Sequence, residues 1–339
     1  MKSTLTHVRF ARPHEGKIHD SIPITHTTYY RCVGVPVVAH TNSPDVLPLL
    51  EFYLGKPLSN LPKDHAEAIT VRVYVQVEDS TKPLSQPVSH LQDDQFVIVL
   101  NPSVGIAQGA TGNITLYLAP SHLTNPLSAG RMTFERLFNY VLVRHPYLYP
   151  LHAAAVGIGS RMAVLVGERN VGKSTLAYAC LRRGMHFLSD DLVVRHANDG
   201  PFAIRGQGRW VYLEPKLSQC FPELEEDRLR FPKWRKFRVD VHRLYTSQSR
   251  SEGTLAAFVL LRQGSRERPS AHHTLGDEVV ASLKTHATLF RRPNEQGWIE
   301  ATLADLERLS GTLPSYTLEL SNDHERNAAL VQELLEGVR

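Results

Sequence analysis

The stretch GERNVGKST, Gly167 to Thr175, holds the residue types that cradle a phosphate chain. Gly167, Gly172, Lys173 and Ser174 satisfy GxxxxGK[ST], the P-loop or Walker A pattern. Its glycines let backbone N–H groups converge on phosphate oxygens, its lysine meets the β- and γ-phosphates, and its serine hydroxyl holds Mg²⁺. Asn170, Val171 and Thr175 belong to the same cradle. Further along, HFLSDDLVV sets Asp190 and Asp191 side by side in an otherwise apolar run. Paired carboxylates in a strand are costly unless a cation or a polar site receives them. Adjacent strand residues face opposite ways, so the two need different partners unless the chain bends there. One can serve Mg²⁺ while the other takes a proton from a hydroxyl. The bland alternative is an Asx turn that ends the strand.

These residues need elements to hold them. MAVLV, Met162 to Val166, reads as a strand entering the loop, and KSTLAYACLRRG as a helix leaving it, stopped at Gly184. That order aims the positive end of the helix at the phosphates. HAAAVGI lies just before this strand, separated by the short turn GSR, so the two strands are antiparallel. Most P-loop proteins with parallel sheets lack such a hairpin partner. Upstream, ITVRVYVQVE (Ile69 to Glu78) and NITLYLA (Asn113 to Ala119) alternate with period two around the short strand QFVIVLN, which predicts a small antiparallel domain. TFERLFNYVLVRH follows helical spacing behind Thr133 as a cap, and Asp323 to Arg339 carries one apolar helical face. The class expected is α/β with a mixed sheet: a β-rich domain over 1–125 and a P-loop domain over 126–339.

Bulk properties exclude more than they assign. With 339 residues, 42% of them hydrophobic, the chain can bury a sizeable core, and a formal charge of +4 does not demand a polyanionic partner. Cys32, Cys180 and Cys220 form no CxxC or Cys/His pattern, which argues against a zinc site or a disulfide framework and points to a reducing cytoplasm. The first residues, MKSTLTHVRFARPHEGK, lack an apolar secretory core, and no segment has the length of a membrane span. The 17 histidines are scattered, without HExxH spacing.

LHAAAVGIGSRMAVLVGERNVGKSTLAYACLRRGMHFLSDDLVV resembles the core of the HPr kinase/phosphorylase family, through His152, the loop Gly167 to Ser174 and the pair Asp190 and Asp191. The resemblance implies a P-loop core related to phosphoenolpyruvate carboxykinase and transfer of phosphate from a nucleotide to a serine hydroxyl. It implies that His152 lies beside the aspartates, one of which acts as base. A structural role for His152 is equally open. In the family a Glu-x-Arg-Gly-x-Gly segment supplies a carboxylate near magnesium. Here AIRGQGRW keeps Arg205, Gly206 and Gly208 but has Ala203 in place of the Glu, so Glu214 becomes the substitute candidate.

The stretch RLRFPKWRKFRVDVHR, Arg228 to Arg243, is basic and laced with aromatics. By resemblance Lys236 and Arg238 are candidates to clamp the transferring phosphate, as Arg and Lys do elsewhere. A solvated loop and a nucleic-acid patch built on Trp234 and Phe237 are the rival readings, the second the weaker. The expectation is therefore a cytoplasmic kinase using ATP, or GTP, with Mg²⁺. Its acceptor is a Ser/Thr hydroxyl of a protein or peptide, and it involves no membrane and no nucleic acid. The family's habit leaves a homo-oligomer open. A nucleotide-gated binding module and a kinase of a small hydroxylated metabolite are the alternatives.

Overall fold

The computed structural model describes residues 22–63, 68–76, 87–123, 130–145, 148–196, 198–224, 237–264, 267–287 and 296–338. Two sheets organise them. The first contains β1 (His26–Cys32), β2 (Val35–Thr41), β3 (Ile69–Val75), β4 (Val88–Gln92), β5 (Gln95–Leu100), β6 (Ser103–Gln108) and β7 (Asn113–Leu118), in the order β1-β2-β3-β7-β6-β5-β4. The sheet is mixed rather than antiparallel as expected, because β2–β3 and β3–β7 pair in parallel. Period-two alternation reports which face of a strand is buried but not the direction of its neighbour. The crossover from β2 to β3 carries helix α1 (Leu47–Leu54), the connection that a parallel pair needs.

A second helix, α2 (Arg136–Leu142), is entered through a π-helical turn, Arg131–Glu135. Thr133 is thus buried inside the helical run and not its cap. Leu49, Leu50 and Tyr53 of α1 join Phe134, Leu137, Phe138 and Val141 over the buried faces of β3 and β7. The helix expected to open the second domain therefore packs on the first sheet; the boundary near residue 126 lies outside the described residues.

The second sheet has nine strands: β8 (Leu148–Leu151), β9 (Ala154–Ile158), β10 (Arg161–Val166), β11 (His186–Ser189), β12 (Val193–His196), β13 (Ala203–Arg205), then β16 (Glu252–Gln263), β17 (Ser270–His273) and β18 (Ser315–Leu320). Between β13 and β16, β14 (Trp210–Leu213) and β15 (Phe237–Asp240) form a separate two-stranded ribbon. The predicted hairpin is present as the antiparallel pair β9–β10. On its other side β10 pairs in parallel with β16, which pairs in parallel with β18. The chain is thus mixed α/β.

Alternation splits β9 and β10 between two cores. Ala154, Val156, Ala163 and Leu165 face helices α3 (Lys173–Arg182) and α6 (His324–Gly337) and the ribbon. Ala155, Met162, Val164 and Val166 face α4 (Gly276–Ala287) and α5 (Gln296–Thr312). Burial on both faces explains why these strands read as continuous apolar runs in the sequence. Asp323 caps α6 by accepting from the Arg326 N–H. Among the described residues, no helix is long and apolar enough to cross a membrane.

Candidate functional site

Register brings the predicted residues to one end of the second sheet. Leu165 pairs with Ala154, so the loop after Val166 and His152 before Ala154 lie at the same end. Ser189 pairs with Ala155, which puts Asp190 there as well. In a sheet with parallel strands, this carboxyl end is where ligands bind.

The loop has the backbone its sequence requires. Gly172 sits at φ 116° just before α3, a conformation in which L side chains are strained, and Asn170 adopts φ 66°. The chain can therefore turn sharply into α3, whose first N–H groups, at Lys173, Ser174 and Thr175, have no partner within the helix by its geometry. Lys173 is buried, and its ammonium donates to the carbonyls of Gly167 (2.8 Å) and Glu168 (3.0 Å). Gln263 of β16 braces the loop by donating to the Val171 carbonyl at 3.0 Å. A lysine curled over a glycine loop at a helix N-terminus is a ready receptor for an anion.

The acidic pair lies in a bend between two strands, and its two side chains diverge. β11 ends at Ser189 and β12 starts at Val193, so the chain bends between them, held by a bond from the Ser189 hydroxyl to the Leu192 carbonyl (2.7 Å). Asp190 turns inward, 5% exposed, and its Oδ2 accepts from the Tyr212 N–H of the ribbon at 2.8 Å. Asp191 faces solvent, with its side chain 71% exposed, and Oδ1 lies 3.2 Å from His152 Nδ1. A carboxylate at that distance favours the proton on Nδ1 and leaves Nε2 as an acceptor. Burial pushes the His152 imidazole below its ordinary value; Asp191 opposes that shift, and the Lys173 and Arg169 cations add to it. Asp191, Lys173 and Arg169 thus all lie close enough to His152 to act on its charge.

Beside the pair is a small cleft of about 60 Å³, with Glu135 and Asn139 on one wall and Gln207, Arg209 and Tyr212 on another. Glu135 Oε1 accepts from the Tyr212 hydroxyl at 3.3 Å. Arg209 pairs with Asp240 at 3.2 Å. Sequence reading assigned none of the five a role: Gln207 and Arg209 sit in the AIRGQGRW segment, where attention fell on position 203, and Glu135 and Asn139 come from the helical segment that covers the first sheet.

The remaining candidates separate from this group. Arg238 is not a phosphate clamp: it is 1% exposed, with its guanidinium carbon 3.5 Å from the Trp210 ring centroid and 4.4 Å from that of Phe52. Lys236 and Trp234 lie outside the described residues. Glu214 forms an ion pair with Lys216 at 2.9 Å, and among the described residues no bond or ion pair joins it to Ser174. Ala203 pairs with Thr254, which in turn pairs with Arg161 at the start of β10. Position 203 is thus the length of a strand away from the loop, roughly 17 Å at about 3.3 Å per residue, so no carboxylate there would meet the loop. Gly206 does serve the acidic strand: a Cβ there would come within 2.3 Å of the Leu188 carbonyl, so only glycine lets this segment pass beside Asp190.

Among the described residues, no group of three or more His, Cys, Asp or Glu side chains is arranged to hold a metal. Magnesium beside a polyphosphate asks for less, one or two protein oxygens with water and phosphate completing its shell, and Ser174 and Asp190 are of that chemistry.

No family model and no curated protein matches the chain. Among solved structures, it is similar to an HPr(Ser) kinase/phosphatase from Coxiella burnetii, with a TM-score of 0.30 and 13% identity over 55% of this chain and 93% of that chain. A likeness that weak assigns no fold family and no activity.

Proposed function

We propose that this protein is a phosphotransferase that moves the γ-phosphoryl group of ATP, or of GTP, onto an alcohol. The observation that carries the reading is the meeting of the glycine–lysine loop, His152 and the two aspartates at one end of the second sheet. The triphosphate lies on the amides of residues 167–175, where Lys173 exchanges its two loop carbonyls for phosphate oxygens. Ser174 and a carboxylate, with Asp190 the candidate at the same end of the sheet, would hold Mg²⁺, which would offset the charge of the phosphate oxygens. The acceptor hydroxyl attacks phosphorus in line: its O–P bond forms, the bond from phosphorus to the β-side bridging oxygen breaks, and its proton passes to an aspartate. Asp191 suits the base role, because it is open to an incoming hydroxyl and oriented by His152. The acceptor enters by the cleft that Glu135, Asn139 and Tyr212 line.

The acceptor is a serine or threonine of a protein or peptide, the first sheet with α1 and α2 being the unit that docks it. The reading as a nucleotide-gated module without transfer keeps the loop but leaves the open Asp191 unused. Incubation with γ-labelled ATP, Mg²⁺ and a library of Ser/Thr peptides should place label on a hydroxyl, and EDTA should abolish it. Label found only on water or on free serine would rule out the peptide acceptor. Absence of nucleotide uptake by calorimetry in magnesium buffer would sink the kinase reading itself.

A further inference from the structure

Arg238 is the largest fully buried side chain among the described residues, and it stands where the two sheets' units meet. Its guanidinium lies over Trp210 (3.5 Å), Phe52 (4.4 Å), Tyr53 (5.3 Å) and Tyr212 (5.7 Å), two rings from each unit. Nε and Nη1 have no hydrogen-bond partner among the described residues. Among the described residues no carboxylate pairs with this buried cation, so ring faces hold it, an attraction that strengthens as water is excluded. The cage works only while α1 keeps Phe52 and Tyr53 closed over it.

The cage is built on the ribbon that holds Asp190. Val211, Leu213 and Val239 anchor one face of the ribbon in the core beneath α3, and Trp210, Tyr212, Arg238 and Asp240 form its other face. Tyr212 stands opposite Arg238 in register. Its N–H holds Asp190 and its hydroxyl reaches Glu135. Two strands alone are marginal and need packing on their exposed face. Here α1 supplies it. Arg209, next to the ribbon, also donates to the carbonyls of Glu51 (3.4 Å) and Phe52 (3.3 Å) near the negative end of α1, while pairing with Asp240.

We infer that α1 is a working part of the transfer site: through the cluster in which Phe52 meets Trp210 at 4.7 Å with Arg238 over both rings it fixes the ribbon, and the ribbon's Tyr212 amide fixes Asp190. Phe52, Trp210 and Arg238 are positioning residues, and the first sheet's unit is coupled to the acidic pair rather than merely tethered beside it. This rests on the phosphotransferase reading for its consequence but not for its geometry.

The test uses the full chain and hydrogen exchange followed by mass spectrometry. Phe52→Ala should raise exchange in residues 188–192 and 210–213 by about tenfold, the factor a cation–π contact of ordinary strength is worth, and leave residues 167–176 unchanged. Phe52→Tyr, which keeps a ring, should restore protection. The ATP Kd should stay within about twofold, while kcat for label transfer falls and the KM for ATP holds. Should Phe52→Ala fail to fold, Arg238→Lys, which keeps the charge but loses the planar stack, serves in its place. Unchanged exchange at 188–192, or a rise spread evenly over the chain, overturns the coupling. Failure of the wild type to bind Mg²⁺–ATP would instead remove the phosphotransferase reading and leave the exchange result standing.

Discussion

The second sheet has two polar ends, and they differ in how their charges are used. At the end opposite the loop lies the larger cavity, about 490 Å³, lined by His186, Arg205, Asp199, Arg250 and Glu252. Its charges are spent on one another: Arg205 grips Asp199 with two bonds, at 2.7 and 2.9 Å, and has Glu252 at 3.6 Å. Arg250 donates to His186 Nε2 at 2.8 Å and to backbone carbonyls. At the loop end the space is smaller, yet the Lys173 ammonium reaches the neutral carbonyls of Gly167 and Glu168 and Asp191 is largely open to solvent. Room for a ligand is a poorer guide than charge held ready, because a charge already neutralised gains little by meeting a substrate.

The contrast can be broken most forcefully at Lys173. Lys173→Ala should weaken Mg²⁺–ATP binding by about a hundredfold or more and abolish label transfer; binding that survives intact would mean the loop is not the cradle. Next in size, Asp191→Asn should lower kcat by roughly 10²–10⁴, the usual worth of a positioned base, with the nucleotide Kd nearly unchanged. If Asp190→Asn does so instead while Asp191→Asn is silent, the two aspartates exchange roles. Glu135→Gln sharpens the comparison within the loop end. It should raise the acceptor KM by about tenfold, the order of one lost charge-assisted contact, and leave the ATP KM alone.

The smallest effect belongs to the far end. The Arg205 guanidinium holds the Asp199 carboxyl below its ordinary value. A carboxylate whose folded value is depressed contributes stability above its unfolded value and loses it as the pH falls through the folded one. Asp199→Asn should therefore lower the thermal midpoint at pH 7 by roughly 2 °C, with the gap closing in acid below the usual carboxylate range, and transfer should stay at the wild-type rate. A large loss of transfer in that variant would mean that the far end takes part in function.

Much of the loop end is readable along the chain because its parts are local. Gly167 to Ser174 is contiguous, the strand before it and the helix after it carry their own periodicities, and the GSR turn dictates an antiparallel hairpin. By strand alternation the sequence asks for separate partners for Asp190 and Asp191 or a bend between them, and the structure has the bend. Glu135 and Tyr212 were silent because each is an ordinary residue in its own segment and gains meaning only beside the other. Arg238 misled for a related reason. A basic run reads as a clamp or a solvated loop, and only packing of α1 against the ribbon turns its arginine inward.

By itself, then, the amino-acid order determined a strand–loop–helix suited to phosphate, a hairpin feeding it, an acidic pair downstream and a mixed α/β composition of elements. All of these depend on neighbours within a few residues, where backbone sterics and side-chain period suffice. Tertiary structure alone decided that β2, β3 and β7 run parallel, that position 203 falls at the wrong end of the sheet, and that a helix of the first sheet closes a cage behind Asp190. Strand direction, register and burial are set by contacts between distant segments, whose energies depend on partners that no local window contains.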